Sequence, residues 1–181
     1  FDERPSRKVY TPPYCIDEYE FPNQFGLLPE LGRKWSEAGA ICESRGKRLC
    51  SEAEWEKACK GRDGYLFPYG DEYAHGKCPT GLIRKDGQQA AGKYGDCASG
   101  YGVYDMSGGA KEWVSGSYSP YPGSETIPAM SEDRRIRRGG SRLGEGGAVS
   151  CTFRESALLE TGVSGFRCCM DARPQNGGAG K

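Results

Sequence analysis

At 181 residues, 36% of them hydrophobic, the chain suits one domain with a buried core and is short for two. Twenty-five basic residues balance 25 acidic ones, which removes the overall basic field that nucleic acid or an anionic membrane would need. Twenty-eight glycines and 11 prolines exclude a helical bundle and point to many tight turns.

In chain order, residues 1–13 read as a polar, proline-punctuated N-terminal extension. Residues 14–21 read as a strand anchored by Ile16 and Tyr19 and stopped by Pro22 and Asn23. Helical spacing through Ala40 and Ile41 predicts a helix over 36–45, ended by Gly46. Ser51 and Glu54 form a capping box that opens a second helix, running through Trp55 and Cys59 to Gly61. A long glycine-rich loop region follows. Short strands are predicted over 102–106, 112–115, 137–141, 151–154 and 165–169. The basic run Arg134, Arg135, Arg137, Arg138 reads as alternating residues on a solvated strand face rather than a phosphate site. Residues 173–181 read as a flexible tail, leaving one irregular, loop-rich α+β domain over 14–172. No apolar run approaches the ~20 residues that cross a bilayer. Opening on Phe1 and closing on a Gly-rich tail, the chain is expected to be a piece of a larger protein or assembly.

Nine cysteines with irregular spacing, two of them adjacent, and a single histidine, His75, argue for disulfides over zinc. That implies an extracytoplasmic setting: periplasm, cell surface or secreted medium. The odd count leaves at least one thiol free or joined to another chain. Cys78 and Cys97 flank the glycine-rich loop and are expected to close it. Cys168 and Cys169 must face opposite sides of one strand.

Seven segments carry a family signature: Cys15-Ile16-Asp17-Glu18-Tyr19-Glu20; Gly46-Lys47-Arg48-Leu49 followed by Glu52-Ala53-Glu54-Trp55-Glu56; Phe67-Pro68-Tyr69-Gly70; Gly102-Val103-Tyr104-Asp105-Met106-Ser107-Gly108; Glu112-Trp113; Arg138-Gly139-Gly140-Ser141; and Gly165-Phe166-Arg167-Cys168. In this order they resemble the formylglycine-generating enzyme (sulfatase-modifying factor) domain family over about residues 14–170. The resemblance implies a C-type-lectin-like fold and two disulfides, Cys42–Cys168 and Cys59–Cys151. Cys15, Cys50 and Cys169 stay open, with Cys169 able to pair with either of the others. Arg48, Trp55, Glu112, Trp113 and Arg167 read as structural groups that satisfy buried carbonyls and lock loops.

The family's enzymes hold Cu(I) through two cysteines, three and eight residues beyond the serine of the Arg-Gly-Gly-Ser segment. Here those positions are Gly144 and Val149, so no copper is expected and formylglycine synthesis is not implied. The histidine-based iron site of the ergothioneine-type branch is beyond a chain whose one histidine is His75. The resemblance also implies a calcium site built from the side chains of Asp105 and Glu112 and the carbonyls of Gly108 and Ala110. Hard, anionic oxygen donors suit that ion, although Gly109, Ala110 and Lys111 depart from the family pattern. A second family calcium site meets Pro79, which has no side-chain donor, and is expected to be absent.

These readings favour a non-catalytic binding or structural module that presents loops 62–100 and 116–134 to a protein partner or a glycan. Tyr73, Tyr94, Tyr118 and Tyr121 are its candidate contact residues. The alternative is an oxidoreductase of the same superfamily with an unrecognised site near Ser141, Arg154 and Trp113. A calcium-dependent lectin is weaker, since the Glu-Pro-Asn and Gln-Pro-Asp loop motifs are missing.

Overall fold

The computed structural model describes residues 8–82, 87–119, 134–159 and 164–172. Two short helices, α1 (Trp35–Ser44) and α2 (Glu52–Lys60), precede most of the sheet. The helix α2 starts where its capping box demands: the Glu54 amide donates to Ser51 Oγ, and the Ser51 amide donates to Glu54 Oε2 at 2.8 Å. The strands are β1 (Tyr14–Ile16), β2 (Arg48–Leu49), β3 (Glu112–Ser117), β4 (Arg134–Arg138), β5 (Arg154–Leu158), β6 (Gly165–Phe166) and β7 (Cys168–Asp171). They form two small sheets among the described residues, β1-β7-β2 and β5-β4-β3-β6. All pairs are antiparallel except β3 with β6. The result is an α+β domain in which loops outweigh regular structure.

One apolar cluster gathers Trp55, Met106, Val114 and Ile136 against α2; a second gathers Phe21, Leu49, Trp113 and Phe166 against α1. Four disulfides tie these layers together: Cys42–Cys168, Cys50–Cys169, Cys59–Cys151 and Cys78–Cys97. The pair Cys168 and Cys169 sits on the central strand β7. One side chain reaches α1 and the other reaches Cys50, as alternation along a strand requires. Cys15 lies opposite Met170 on β1, exposed and free.

Several strand boundaries differ from the sequence reading. The strand expected over 14–21 ends at Ile16, because the chain then turns inward to bury Glu20 and Phe21. Residues 102–106 form no strand, only the isolated bridge Ala98–Tyr104, since Asp105 takes φ 59° and breaks the extended path. The strand placed at 137–141 ends at Arg138, where Gly139 and Gly140 adopt φ 87° and 73°. The strand placed at 151–154 starts only at Arg154, because a turn closed from the Phe153 amide to Ser150 O precedes it.

The basic run is also corrected. Arg138 is fully buried and Arg137 is 7% exposed, so β4 is covered on both faces. Arg138 donates to the carbonyls of Cys151, Thr152 and Phe153 and pairs with Glu56. Arg135, Arg137 and Arg138 lie over the rings of Trp35, Trp113 and Trp55 at 4.6, 5.6 and 5.6 Å. These guanidinium groups carry the packing of the sheet, with cation–π contacts replacing apolar ones.

Candidate functional site

A cavity of about 370 Å³ opens beside the segment that joins Tyr104 to β3. That segment is a chain of tight turns held from both sides. The Gly108 amide donates to Gly139 O at 2.7 Å, the Gly109 amide to Pro79 O at 3.0 Å, and the Arg142 amide to Gly109 O at 3.0 Å. Only glycine fits at position 108, where φ is +79° and a Cβ would lie 2.4 Å from Pro79 O. Ser107 Oγ donates to Val149 O at 2.7 Å, pinning the short 3-10 turn Gly146–Val149 to the same wall.

Beneath the cavity lies a buried charge cluster. Arg167 donates from Nε and Nη2 to the two oxygens of Glu112, each at 2.7 Å. The Trp55 indole N–H adds a third hydrogen bond to Glu112 Oε2 at 2.8 Å. The remaining Arg167 donors reach the carbonyls of Asp17, Glu18 and Tyr104. This guanidinium therefore satisfies three loop carbonyls and one carboxylate. Burial alone works against its charge, but Glu112, Glu20 and Asp105 hold it protonated.

Asp105 and Glu20 are buried and line the cavity. Asp105 Oδ2 accepts from the Gly92 amide at 2.7 Å, whereas Oδ1 is buried with no hydrogen-bond partner among the described residues. Glu20 Oε1 accepts from the Ala110 amide at 3.3 Å. Burial pushes both carboxyls above their ordinary range; Glu112 raises them further, while Arg167 partly offsets the effect. The carboxyl groups of Glu20, Asp105 and Glu112 thus gather around the buried Arg167 guanidinium.

The calcium set that the resemblance implies can be tested on these contacts. Both oxygens of Glu112 are taken by Arg167 and Trp55, so an ion bound there would sit against a guanidinium. Of the set Asp105, Gly108, Ala110 and Glu112, the side-chain oxygen without a hydrogen bond among the described residues is Asp105 Oδ1, while both Glu112 oxygens are shared with Arg167 and Trp55. Lys111, one of the departures from the family pattern, pairs with Glu155 at 2.6 Å, and Arg137 joins the same carboxylate at 3.1 Å.

Of the other residues singled out, Ser141 lines the cavity, but Trp113 and Arg154 do not. Trp113 is fully buried, its indole donating to Arg33 O, and Arg154 pairs with Glu52 on α2. These three are not brought together into one cleft. Gly144 and Val149 do meet: a Cβ at 144 would lie 3.1 Å from Val149 Cγ1. Pro79 also lines the cavity. The candidate contact tyrosines Tyr73, Tyr94 and Tyr118 are half-buried. Tyr73 bonds Thr80, Tyr118 stacks under Arg154, and Tyr94 lies near the Lys93 ammonium. Tyr121, and most of loop 116–134, lie outside the described residues.

Glu20 is the site residue that the sequence reading missed. Its signal was a broken alternation: Ile16 and Tyr19, the two apolar anchors, cannot share one face of a strand. The strand therefore had to end between them, which frees Glu20 to turn inward.

A two-layer α+β domain with this loop-built cavity and disulfide set matches the family model of the sulfatase-modifying factor enzyme 1-like domain over residues 22–172. The chain belongs to that family. It is 30% identical over 167 residues to the inactive C-alpha-formylglycine-generating enzyme 2 of Mus musculus, covering 82% of this chain and 51% of the relative. To the formylglycine-generating enzyme of the same organism it is 32% identical over 168 residues, covering 81% of this chain and 45% of the relative. The chain thus spans about half the length of these curated relatives. Among solved structures, PvdO from Pseudomonas aeruginosa superimposes with a TM-score of 0.60 at 23% identity, covering 80% of this chain and 62% of that one. That similarity concerns the fold alone.

Proposed function

We propose that this domain is a non-catalytic binding module of the formylglycine-generating enzyme superfamily, working outside the cytoplasm. The observation that carries the reading is the pair Gly144 and Val149. They stand next to each other, at the positions where the resemblance places the two copper thiolates. Glycine offers no side chain and valine offers only carbon, so neither can hold Cu(I), which prefers soft sulfur. No cysteine or histidine is among the side chains lining the cavity. The relative of similar identity whose name calls it inactive supports a non-catalytic member of this family. Four disulfides support an oxidising compartment; periplasm, cell surface and secreted medium all satisfy that condition.

In this reading the cavity is kept as a binding pocket, with a protein segment or a glycan as its partner. The test is an oxygen-consumption assay with copper-loaded protein and a cysteine-containing peptide, carried out on the Cys15→Ser variant so that the exposed thiol does not react. The reading expects no turnover above the copper-only background. Stoichiometric conversion of the peptide cysteine to an aldehyde would replace it with the enzyme reading.

A further inference from the structure

We propose that the cavity takes an acidic segment of a partner protein, with an Asp or Glu carboxylate meeting Lys111 and Arg142 and neighbouring aliphatic side chains lying against Leu31 and Leu143. The proposal rests on the cavity being a binding pocket for a protein segment and adds the chemistry of that segment.

Five ionisable side chains line the cavity: Glu20, Asp105, Lys111, Arg137 and Arg142. The two acids are buried beside Arg167, and burial pushes both toward their neutral forms. The three cations come from separate points of the wall. Lys111 directly precedes β3, Arg137 lies on β4, and Arg142 follows the Gly139-Gly140 turn, where its amide bond to Gly109 O holds it at 3.0 Å. Lys111 and Arg137 share one oxygen, Glu155 Oε2, at 2.6 and 3.1 Å, so a single negative charge serves two positive ones. Arg137 is nearly buried and contributes its field rather than a contact. The Lys111 side chain is 29% exposed and Arg142 is half-buried, so both can be reached from solvent. A carboxylate is the charge-assisted acceptor that suits these donors.

The walls favour a peptide over an acidic sugar. Leu31 and Leu143 line the cavity and are both exposed. The apolar surface continues along the chain beside it, through Leu28 and Leu27 to Phe25, all exposed. That strip is anchored: the Gly26 amide donates to Ala91 O at 2.9 Å and the Ala91 amide to Leu27 O at 2.8 Å, and Ala90 lines the cavity. Exposed apolar residues held in place beside a pocket mark an interaction surface. Aliphatic side chains cover such a surface favourably, whereas the hydroxyls of a sugar gain nothing from it. At about 370 Å³ the cavity is at the small end of ligand sites and suits one anchoring side chain, with the strip carrying its neighbours.

The experiment is a titration of the 181-residue protein, followed by amide chemical shifts. The probes are the N-acetylated, C-amidated peptides Leu-Glu-Leu, Leu-Gln-Leu and Ser-Glu-Ser, and sodium glucuronate. Leu-Glu-Leu is expected to move the Gly109, Lys111, Arg142 and Leu143 amides in a saturable way. The two control peptides, lacking either the charge or the aliphatic groups, should each bind about tenfold more weakly. Lys111→Gln and Arg142→Gln, each confirmed as folded by its amide spectrum, should weaken Leu-Glu-Leu binding by a similar factor. No saturable response to Leu-Glu-Leu, equal binding of either control peptide, unchanged affinity in both variants, or tighter binding of glucuronate would each overturn the proposal. Equal binding of Leu-Gln-Leu would still leave a non-catalytic pocket for a protein segment, whereas turnover in the oxygen-consumption assay would end that reading whatever the peptides do.

Discussion

Arg167 clamps Glu112 through two hydrogen bonds of 2.7 Å while both side chains are fully buried. The pair joins β3 to the residue between β6 and β7, and through its other donors the guanidinium holds the carbonyls of Asp17, Glu18 and Tyr104. Arg167→Met leaves Glu112 charged and unpaired in the core, which costs about 3–5 kcal/mol. Urea denaturation with the disulfides intact measures this. The double variant Glu112→Gln/Arg167→Met should recover part of the loss, since the residues act as one unit. Additive losses would show that the clamp is not the coupling it is described to be.

The disulfides differ in what they close. Cys50–Cys169 spans 119 residues and Cys78–Cys97 spans 19. In the chain-entropy model the longer closure stabilises by about 5 kcal/mol and the shorter by about 3 kcal/mol. Cys50→Ala/Cys169→Ala should therefore lower the urea midpoint more than Cys78→Ala/Cys97→Ala. The reverse order would place the main restraint of the unfolded chain in the glycine-rich loop.

Two buried carboxyls give opposite pH dependence. Burial alone would raise Glu54, but its hydrogen bonds from Arg48 and Ser51 hold it below its ordinary 4.5. Its contribution is complete above about pH 4.5 and is lost as pH falls through its lower folded value. Glu20 is raised by burial and by Glu112 and Asp105, against the opposing effects of Arg167 and the Ala110 amide. Its protonated form carries stability that is complete below about pH 4.5 and lost as pH rises through the higher folded value. Glu54→Gln should thus flatten the acid limb of a stability–pH curve. Glu20→Gln should raise stability near neutral pH. Denaturant midpoints from pH 3 to pH 8 for the wild type and both variants test the two signs together.

Local signals were readable where the chemistry is local. The Ser51–Glu54 box marks the start of α2 because both partners lie within one turn. The α+β class follows from two early helices succeeded by turns and short strands, and the motifs add the family because they quote loop-locking residues such as Arg167 and Glu112. The basic run at β4 was misread because its burial depends on Trp35, Trp55 and Trp113, which come from three other places in the chain. The partner of Cys169 was open for a similar reason. β1 and β2 both flank β7, carrying Cys15 on one and preceding Cys50 on the other, and only the register of that sheet selects Cys50. The role of Glu20 depends on the chain turning inward after Ile16, which the sequence marks only by the broken alternation between Ile16 and Tyr19.

Copper binding tests the central claim most directly. Anaerobic titration with Cu(I) against a bathocuproine competitor should be run on the Cys15→Ser protein and on the same protein carrying Gly144→Cys and Val149→Cys. Because positions 144 and 149 touch, the reinstated thiols should hold one equivalent of Cu(I), whereas the Cys15→Ser protein alone should hold none. One tightly bound Cu(I) in the protein that keeps Gly144 and Val149 would contradict the account.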